Sequence, residues 1–253
     1  MPGLDGPLLP AAYRCSTLDT VDSTNAELLR RAAAGEAAGL IVRAGSQTAG
    51  RGRLGRAWQS PAGNLYFSLM IDVGAAPAVA AQLSLVIGIA VADSINSVLG
   101  GADRAVLKWT NDVLIGGKKI AGMLLETAGP GAAGEGLRLI IGVGVNILTF
   151  PPDVRLAATS LRDAGADLDD AGRLMRIIVG QFETWRGIWM AHGFAPIRTA
   201  WLERAANIGA AITVSRGDNV LAGRFVGLDA EGALRLEDDK GHPHVIKAGD
   251  VYF

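Results

Sequence analysis

Gly50, Gly52 and Gly55 are spaced as G-x-G-x-x-G, and the residues after them decide what this chain can fold into. A dinucleotide site in a doubly wound sheet needs a strand before these glycines and a helix opening on the last one. The pyrophosphate rests on that helix N-terminus. Here Gly55 is followed by RAWQSPAGNLYFSLM, in which Pro61 and Gly63 lead into an aromatic-rich strand at Asn64–Asp72. No helix can start there, although Asp72 lies about where a ribose-binding acid belongs. A G-x-x-x-x-G-K-[ST] loop is also absent from the sequence. The doubly wound class is excluded, and Arg51, Arg53 and Arg56 need another explanation. Either they form a solvated basic loop, or their guanidinium forks clamp a carboxylate and a phosphate beside open glycine N–H groups.

Elsewhere strand and helix signals come in mixed order. Thr24 followed by Glu27, a run of helix formers and then Gly35 predicts a capped helix. Gly39–Ala44 reads as a short buried strand, and about 78–99 as a largely buried helix. A strand ending near Trp109 leads to a hairpin turning at Gly116-Gly117, and Leu137–Ile147 is a further apolar strand. Leu174, Ile177, Ile178, Phe182 and Trp185 carry helical spacing through a region of two or three helices, about 168–206. After Asn207 the pattern changes to short strands separated by Gly-Asp, Asp-Ala-Glu-Gly and Asp-Lys-Gly turns, which suggests a small β-barrel. The whole reads as α+β.

Composition narrows the function. The chain has 253 residues with a formal net charge of -1, so bulk charge gives no support to nucleic-acid binding. Cys15 is the sole cysteine, which rules out an intrachain disulfide and a cysteine-based metal site. The start, MPGLDGPLLPAAYRCS, lacks the pattern of a secretory signal and reads as a loose leader. Val73–Ala92 carries no charge, but Pro77, Gln82 and Ser84 interrupt it and Asp93 comes directly after, so it reads as a core helix rather than a membrane span. A cytoplasmic protein is expected. His242 and His244 flank Pro243 with no third ligand nearby in sequence, and read as a turn feature.

Four further motifs surround the arginine run: STN (Ser23–Asn25), KWTND (Lys108–Asp112), KKIAG (Lys118–Gly122) and GVGVN (Gly142–Asn146). In this order the five motifs resemble the biotin protein ligase family, whose patterns include G-R-G-R-x-G-R-x-W, K-W-P-N-D, K-[IL]-A-G and G-x-G-x-N. The resemblance covers roughly residues 16–207, and FVGLDAEGALRL with GDV is similar to the family's C-terminal Src-homology-3-like barrel. It implies a mixed-sheet α+β catalytic domain of the class II synthetase/biotin–lipoate ligase kind. The expected divisions are a leader at 1–15, the catalytic domain at 16–207 and the barrel at 208–253.

The implied chemistry has two halves. Biotin and MgATP give biotinyl-5′-AMP and pyrophosphate, and a lysine of a biotin carboxyl carrier domain then takes the biotinyl group as an amide. The first half brings a carboxylate up to an α-phosphate, so positive charge there offsets repulsion and stabilises the transition state. By motif position the resemblance makes Arg51, Arg53 and Lys119 the catalytic cations. On a strand Lys118 faces the opposite way from Lys119. The implied biotin contacts are Ser23, Thr24, Asn25, Gln47, Gly50, Arg51, Arg53, Lys119, Gly122, Leu124, Gly142 and Gly144, with Gly122 and Gly144 letting backbone lie against the bicycle. Arg53, Arg56, Trp58, Asn111, Asp112, Lys119 and Asn146 fall on the nucleotide side. Several have local alternatives: Ser23 or Thr24 as helix caps, Trp58 as core, and Asn111-Asp112 as a turn. Asp112 is also the one candidate for a magnesium or ribose contact.

Thr110 stands where the family usually has proline, and Leu54 where other members carry arginine; neither removes a catalytic group. About fifteen residues precede the ligase body, too few for the winged helix-turn-helix of the family's repressor members. A single-function ligase is expected, monomeric or homodimeric, with no nucleic-acid or membrane partner. Two other readings remain: a lipoate or octanoate ligase, and a non-catalytic biotin sensor.

Overall fold

The computed structural model describes residues 7–252 apart from 135, 153–156, 167, 169, 217 and 218. The first six residues of the expected leader, the expected turn at Gly217-Asp218 and Phe253 lie outside that set. In chain order the elements are β1 (Arg14–Val21), α1 (Thr24–Ala33), β2 (Leu40–Gln47), β3 (Leu65–Val73), α2 (Pro77–Ala80) and α3 (Leu83–Val98). Then come β4 (Val106–Lys108), β5 (Asp112–Ile115), β6 (Lys118–Pro130), β7 (Leu137–Val145), α4 (Ala171–His192) and α5 (Phe194–Glu203). The chain ends in β8 (Ala211–Arg216), β9 (Asn219–Leu228), β10 (Leu234–Glu237), β11 (Pro243–Ile246) and β12 (Asp250–Tyr252).

The first seven strands form one mixed sheet in the order β1-β2-β3-β7-β6-β5-β4. Only the β1–β2 pair is parallel. Gly116 and Gly117, at φ 55° and 76°, make the two-residue turn between β5 and β6, a conformation that glycine adopts without strain. β3 is buried on both faces, which is why it reads as an apolar run rather than an alternation. Its odd residues, Leu65 to Val73, join the main core with α3, α4 and α5. Met70, on the opposite face, packs with Leu28 of α1 and with Leu40, Val42 and Ile140. The uncharged run predicted as a core helix is α2 and α3, and α3 buries eleven of its sixteen residues.

α1 is where the site begins. Its N-cap is Ser23, in extended backbone (φ -155°, ψ 134°), while Thr24 is already helical. The expected capping box is therefore one residue out of register, and Glu27 instead pairs with Arg30 and Arg31 on the same helix. α1 covers only part of its face of the sheet. Past its N-terminus the floor consists of Ser68 beside Gly142 beside Leu124, and Tyr66 beside Gly144 beside Gly122. Small residues on that floor leave room above it.

The C-terminal strands do not close into the expected barrel. They form an open antiparallel sheet, β11-β10-β9-β8-β12, whose two edge strands have four and three residues. Closure needs strands long enough to tilt and stagger around a ring. The sheet is held instead against the body. Phe225 meets Trp201 edge to face at 6.4 Å between ring centroids, and the Trp109 indole N–H donates to the Gly232 carbonyl at 3.2 Å. At the other end of the chain, Tyr13 donates a hydrogen bond of 2.5 Å to Glu183 on α4, and β1 begins at the next residue.

Candidate active site

The arginine run is a narrow loop rising over the glycine floor. Trp58 N–H donates to the Gly50 carbonyl at 2.9 Å and Gly52 N–H to the Arg56 carbonyl at 2.7 Å, so its two limbs run side by side. Leu54 and Gly55, at φ 56° and 72°, turn its tip, and Leu54 stands 76% exposed. Gly50 is needed at the base, where any Cβ would collide with the Trp58 carbonyl and the Ser60 hydroxyl.

Each arginine finds a partner far away in sequence. Arg51 pairs with Glu126 on β6 at 2.9 Å. Arg53 donates to the Thr110 hydroxyl and to Asn111 Oδ1, the latter at 3.1 Å. Arg56 forms an ion pair with Asp250 on β12, and that bond holds its guanidinium above the ordinary arginine range. Lys119 reaches Asp112 Oδ1 at 2.6 Å across the β5–β6 hairpin, and its ammonium lies 5.2 Å from the centre of the Trp58 ring. Lys118 is exposed.

Two adjoining cavities result. The first, about 150 Å³, is lined by Ser23, Thr24, Asn25, Gln47, Arg51, Arg53, Arg56, Trp58, Asn111, Asp112, Lys119, Gly122, Leu124, Gly142 and Gly144. The second, about 280 Å³, shares Arg53, Arg56, Trp58, Asn111, Asp112 and Lys119, and adds Asn146. Among the expected site residues, only Gly50 lines neither cavity. Thr24 takes part in helix α1 while its backbone N–H donates to Gln47 Oε1 at 2.8 Å. Asn111 is more than a turn residue: its Nδ2 donates to the Met123 carbonyl at 2.7 Å. Asn146 is buried and donates to the Thr159 carbonyl at 3.0 Å.

Trp58 divides the two cavities. Its indole lies on the floor glycines, and a Cβ at Gly144 would come within 2.7 Å of the ring. Sequence reasoning placed a biotin bicycle against Gly122 and Gly144, and the structure places Trp58 there. Its Nε1 is buried with no hydrogen-bond partner.

The second cavity includes residues that the motif reading passed over. Lys108, the first residue of KWTND, is 7% exposed and lies 5.8 Å from the centre of the Tyr252 ring. Burial pushes its ammonium below the ordinary lysine range, against the pull of Asp112 and Asp250. Asp250 belongs to the GDV tail motif and Tyr252 follows it, so the C-terminal sheet supplies part of the wall. Glu126 and Ser68 carried no motif signal at all. Among the described residues no group of three or more His, Cys, Asp or Glu side chains could hold a metal ion. His242 and His244 both contact Asp238 in the β10–β11 turn, at 3.3 and 3.0 Å.

Five cations and two carboxylates therefore line a divided cavity with a small-residue floor, and Glu126 stands behind Arg51. Such a site can draw two anions together and exclude water from them. Comparison with known proteins agrees with this geometry. Residues 18–146 match the biotin/lipoate A/B protein ligase family, and residues 208–253 match the biotin protein ligase C-terminal domain. The chain is 39% identical over 242 residues to a biotin–[acetyl-CoA-carboxylase] ligase of Paracoccus denitrificans, covering 93% of this chain and 99% of that one. It is 34% identical to the bifunctional ligase/repressor BirA of Escherichia coli over 88% of this chain and 69% of that protein. A biotin protein ligase from Aquifex aeolicus, solved in complex with biotin and ATP, superposes with a TM-score of 0.80 at 26% identity, over 94% of this chain and 97% of the other. On motif order, site geometry and these matches, the chain belongs to the biotin protein ligase family.

Proposed function

We propose that the chain activates biotin with ATP to biotinyl-5′-AMP and passes the biotinyl group to a lysine of a biotin carboxyl carrier domain. The observation that carries this reading is the meeting of Arg53 from the loop and Lys119 from β6 at the junction of the two cavities, with Arg51 beside them on the first. In this reading biotin takes the first cavity, with its ureido ring at Ser23, Thr24, Asn25 and Gln47 and its carboxylate toward Lys119. ATP takes the second cavity, beside Trp58, Asn111, Asp112 and Asn146.

The biotin carboxylate attacks the α-phosphorus, a P–O bond forms, and pyrophosphate leaves with the electrons of the bond that breaks. Arg53 and Lys119 offset the repulsion between carboxylate and phosphate, and Arg51 closes the loop side. Asp112 holds Lys119 between turnovers, so the entering anions exchange one carboxylate partner for others. In the second half the acceptor amine attacks the biotinyl carbonyl, releasing AMP and a proton.

ATP enters as its magnesium complex. Magnesium commonly binds through phosphates, waters and one or two carboxylates, so it needs no cage of protein ligands. We assign Asp112, whose side chain lines both cavities, to that role. We assign catalysis to the body that starts at β1, which takes Arg14 and Cys15 from the expected leader into its sheet, and runs to about residue 207, and nucleotide-side support to 208–253. We further infer a cytoplasmic monomer or homodimer whose protein partner is the carrier domain, without nucleic-acid or membrane binding.

ATP–pyrophosphate exchange by the purified protein tests this, run separately with biotin, lipoate and octanoate. Exchange with biotin alone supports the reading. Exchange with lipoate or octanoate moves the chain to another acyl class, and no exchange at all overturns catalysis.

A further inference from the structure

A single polar chain runs along one end of the first cavity, and its members outside the sequence motifs are Glu126 and Ser68. Asn25 Nδ2 donates to Glu126 Oε2 at 2.8 Å and lies 3.3 Å from the Leu124 carbonyl. Ser68 Oγ lies 2.5 Å from Asn25 Oδ1 and 2.7 Å from Thr24 Oγ1. Ser68 is fully buried, and Thr24 and Asn25 nearly so. Such groups must satisfy one another, because water cannot.

The directions of these bonds are set by proton counting. Two acceptors, a carboxylate and a carbonyl, face one end of the Asn25 amide, so that end is the NH₂ and the other is the oxygen. An amide oxygen has no proton to give, so Ser68 spends its single proton on Asn25. The 2.7 Å contact between Ser68 and Thr24 then needs the proton of Thr24. Gln47 Oε1 is a weaker competitor for that proton, at 3.2 Å and already bonded to the Thr24 N–H. Every proton in the chain points toward Glu126. Thr24 Oγ1 is left with lone pairs, and Thr24 lines the cavity.

We propose that Glu126 is a positioning residue that sets specificity: its carboxylate fixes the direction of the Asn25–Ser68–Thr24 chain, so that Thr24 Oγ1 meets a ligand N–H with an acceptor. The inference rests on the biotin reading, in which that N–H belongs to the ureido ring. The same carboxylate oxygen accepts from Arg51 at 2.9 Å, and so ties the loop to the ureido end of the cavity. A ligand presenting a carbonyl at Thr24 finds no donor there, and one presenting a methylene leaves the Thr24 acceptor unpaired.

The test is steady-state ATP–pyrophosphate exchange with biotin and ATP varied separately, for Glu126→Ala, Glu126→Gln, Ser68→Ala and the Ser68→Ala/Glu126→Ala double variant. Loss of one hydrogen bond predicts a rise in biotin KM of about tenfold for Glu126→Ala and for Ser68→Ala, with ATP KM held within about twofold. Glutamine keeps an acceptor oxygen for Asn25, so Glu126→Gln recovers biotin KM to within about threefold of wild type. Both single changes break one chain, so the double variant is no worse than the poorer single. Glu126 is a quarter exposed, and its variants fold whether or not Ser68→Ala does. Unchanged biotin KM in Glu126→Ala, equal rises in biotin and ATP KM, failure of glutamine to rescue, or multiplication to about a hundredfold in the double variant would each overturn the relay. Absence of biotin-dependent exchange in the wild type refutes the biotin reading and the relay together, whereas the other outcomes refute the relay alone.

Discussion

Lys119→Ala separates the chemistry of this site from its stability. In the free protein the Lys119 ammonium is paired with Asp112 at 2.6 Å, with the two side chains 25% and 17% exposed. That is neither a surface pair nor a fully buried one, so removing the cation costs on the order of 1 kcal/mol of stability. Lys108 remains close enough to Asp112 to feel its charge, which limits the loss. For a chain of this size such a change lowers Tm by about 2–4 °C. On the proposed placement of biotin and ATP the effect on the reaction is larger, because there the ammonium faces two anions whose charge concentrates in the transition state. Removal of one preorganised charge contact costs about 3 kcal/mol of barrier, or roughly a hundredfold in rate. The assay is biotin-dependent pyrophosphate exchange at saturating substrates, with thermal melting in parallel and Lys118→Ala as the control. Lys118 lies on the exposed side of the same strand, so its variant stays within about twofold of wild type. Exchange by Lys119→Ala within about threefold of wild type, or an equal loss in Lys118→Ala, would refute the assignment of Lys119.

Three other substitutions probe the floor, the second cavity and the C-terminal turn. Gly144→Ala sets a methyl against the Trp58 ring, so the indole leaves the floor; Trp58 fluorescence shifts toward that of an exposed indole, and KM rises for both substrates. Lys108→Met removes a buried ammonium whose proton affinity is lowered by burial. The wild-type unfolded state binds more protons from the folded pKa up to the ordinary value of 10.5, so wild-type stability rises with pH across that window. The variant lacks that slope in chemical denaturation and is neutral or slightly stabilised below it, while its KM for ATP rises. Asp238 is held below the ordinary carboxylate value of 3.8, chiefly by the hydrogen bond to His244 and then by the backbone N–H of His242. Its contribution is complete above about pH 4 and is lost as pH falls through its folded pKa. Asp238→Ala therefore flattens the acid limb of the melting profile without altering exchange at neutral pH.

Much of the molecule was legible because its signals are local. The Gly116-Gly117 turn, the apolar run of β3 and the uncharged run of α3 each arise from a few neighbouring residues. The cap of α1 shifted by one because Ser23 and Thr24 are chemically equivalent caps, and only backbone angles choose between them. The C-terminal strands were legible one by one, but closure depends on the stagger between strands that are not neighbours. The same limit hid the arginine partners. Arg51 and Glu126 lie 75 positions apart, and Arg56 and Asp250 lie 194 apart. Motif order brought most of the cavity lining into view, whereas Glu126 and Ser68 sit inside ordinary strand patterns and emerge only when hydrogen bonds are counted.

The open C-terminal sheet makes physical sense once its edge is traced to the site. Gly232, at φ 94°, fits against Leu85 and Phe194 where a Cβ would clash, and its carbonyl accepts from Trp109, the residue after Lys108. This fixes the sheet on the same segment that carries KWTND. At the other side β12 pairs only with β8, and Asp250 and Tyr252 project into the second cavity. There Asp250 holds the far limb of the arginine loop through Arg56, as Glu126 holds the near limb through Arg51. The loop is thus fastened at one end to β6 of the seven-stranded sheet and at the other to the C-terminal sheet, with Arg53 between them on Thr110 and Asn111. A separate barrel joined only by a linker could not hold that second fastening in register, so the C-terminal strands are part of the wall of the second cavity rather than an appendage to the body.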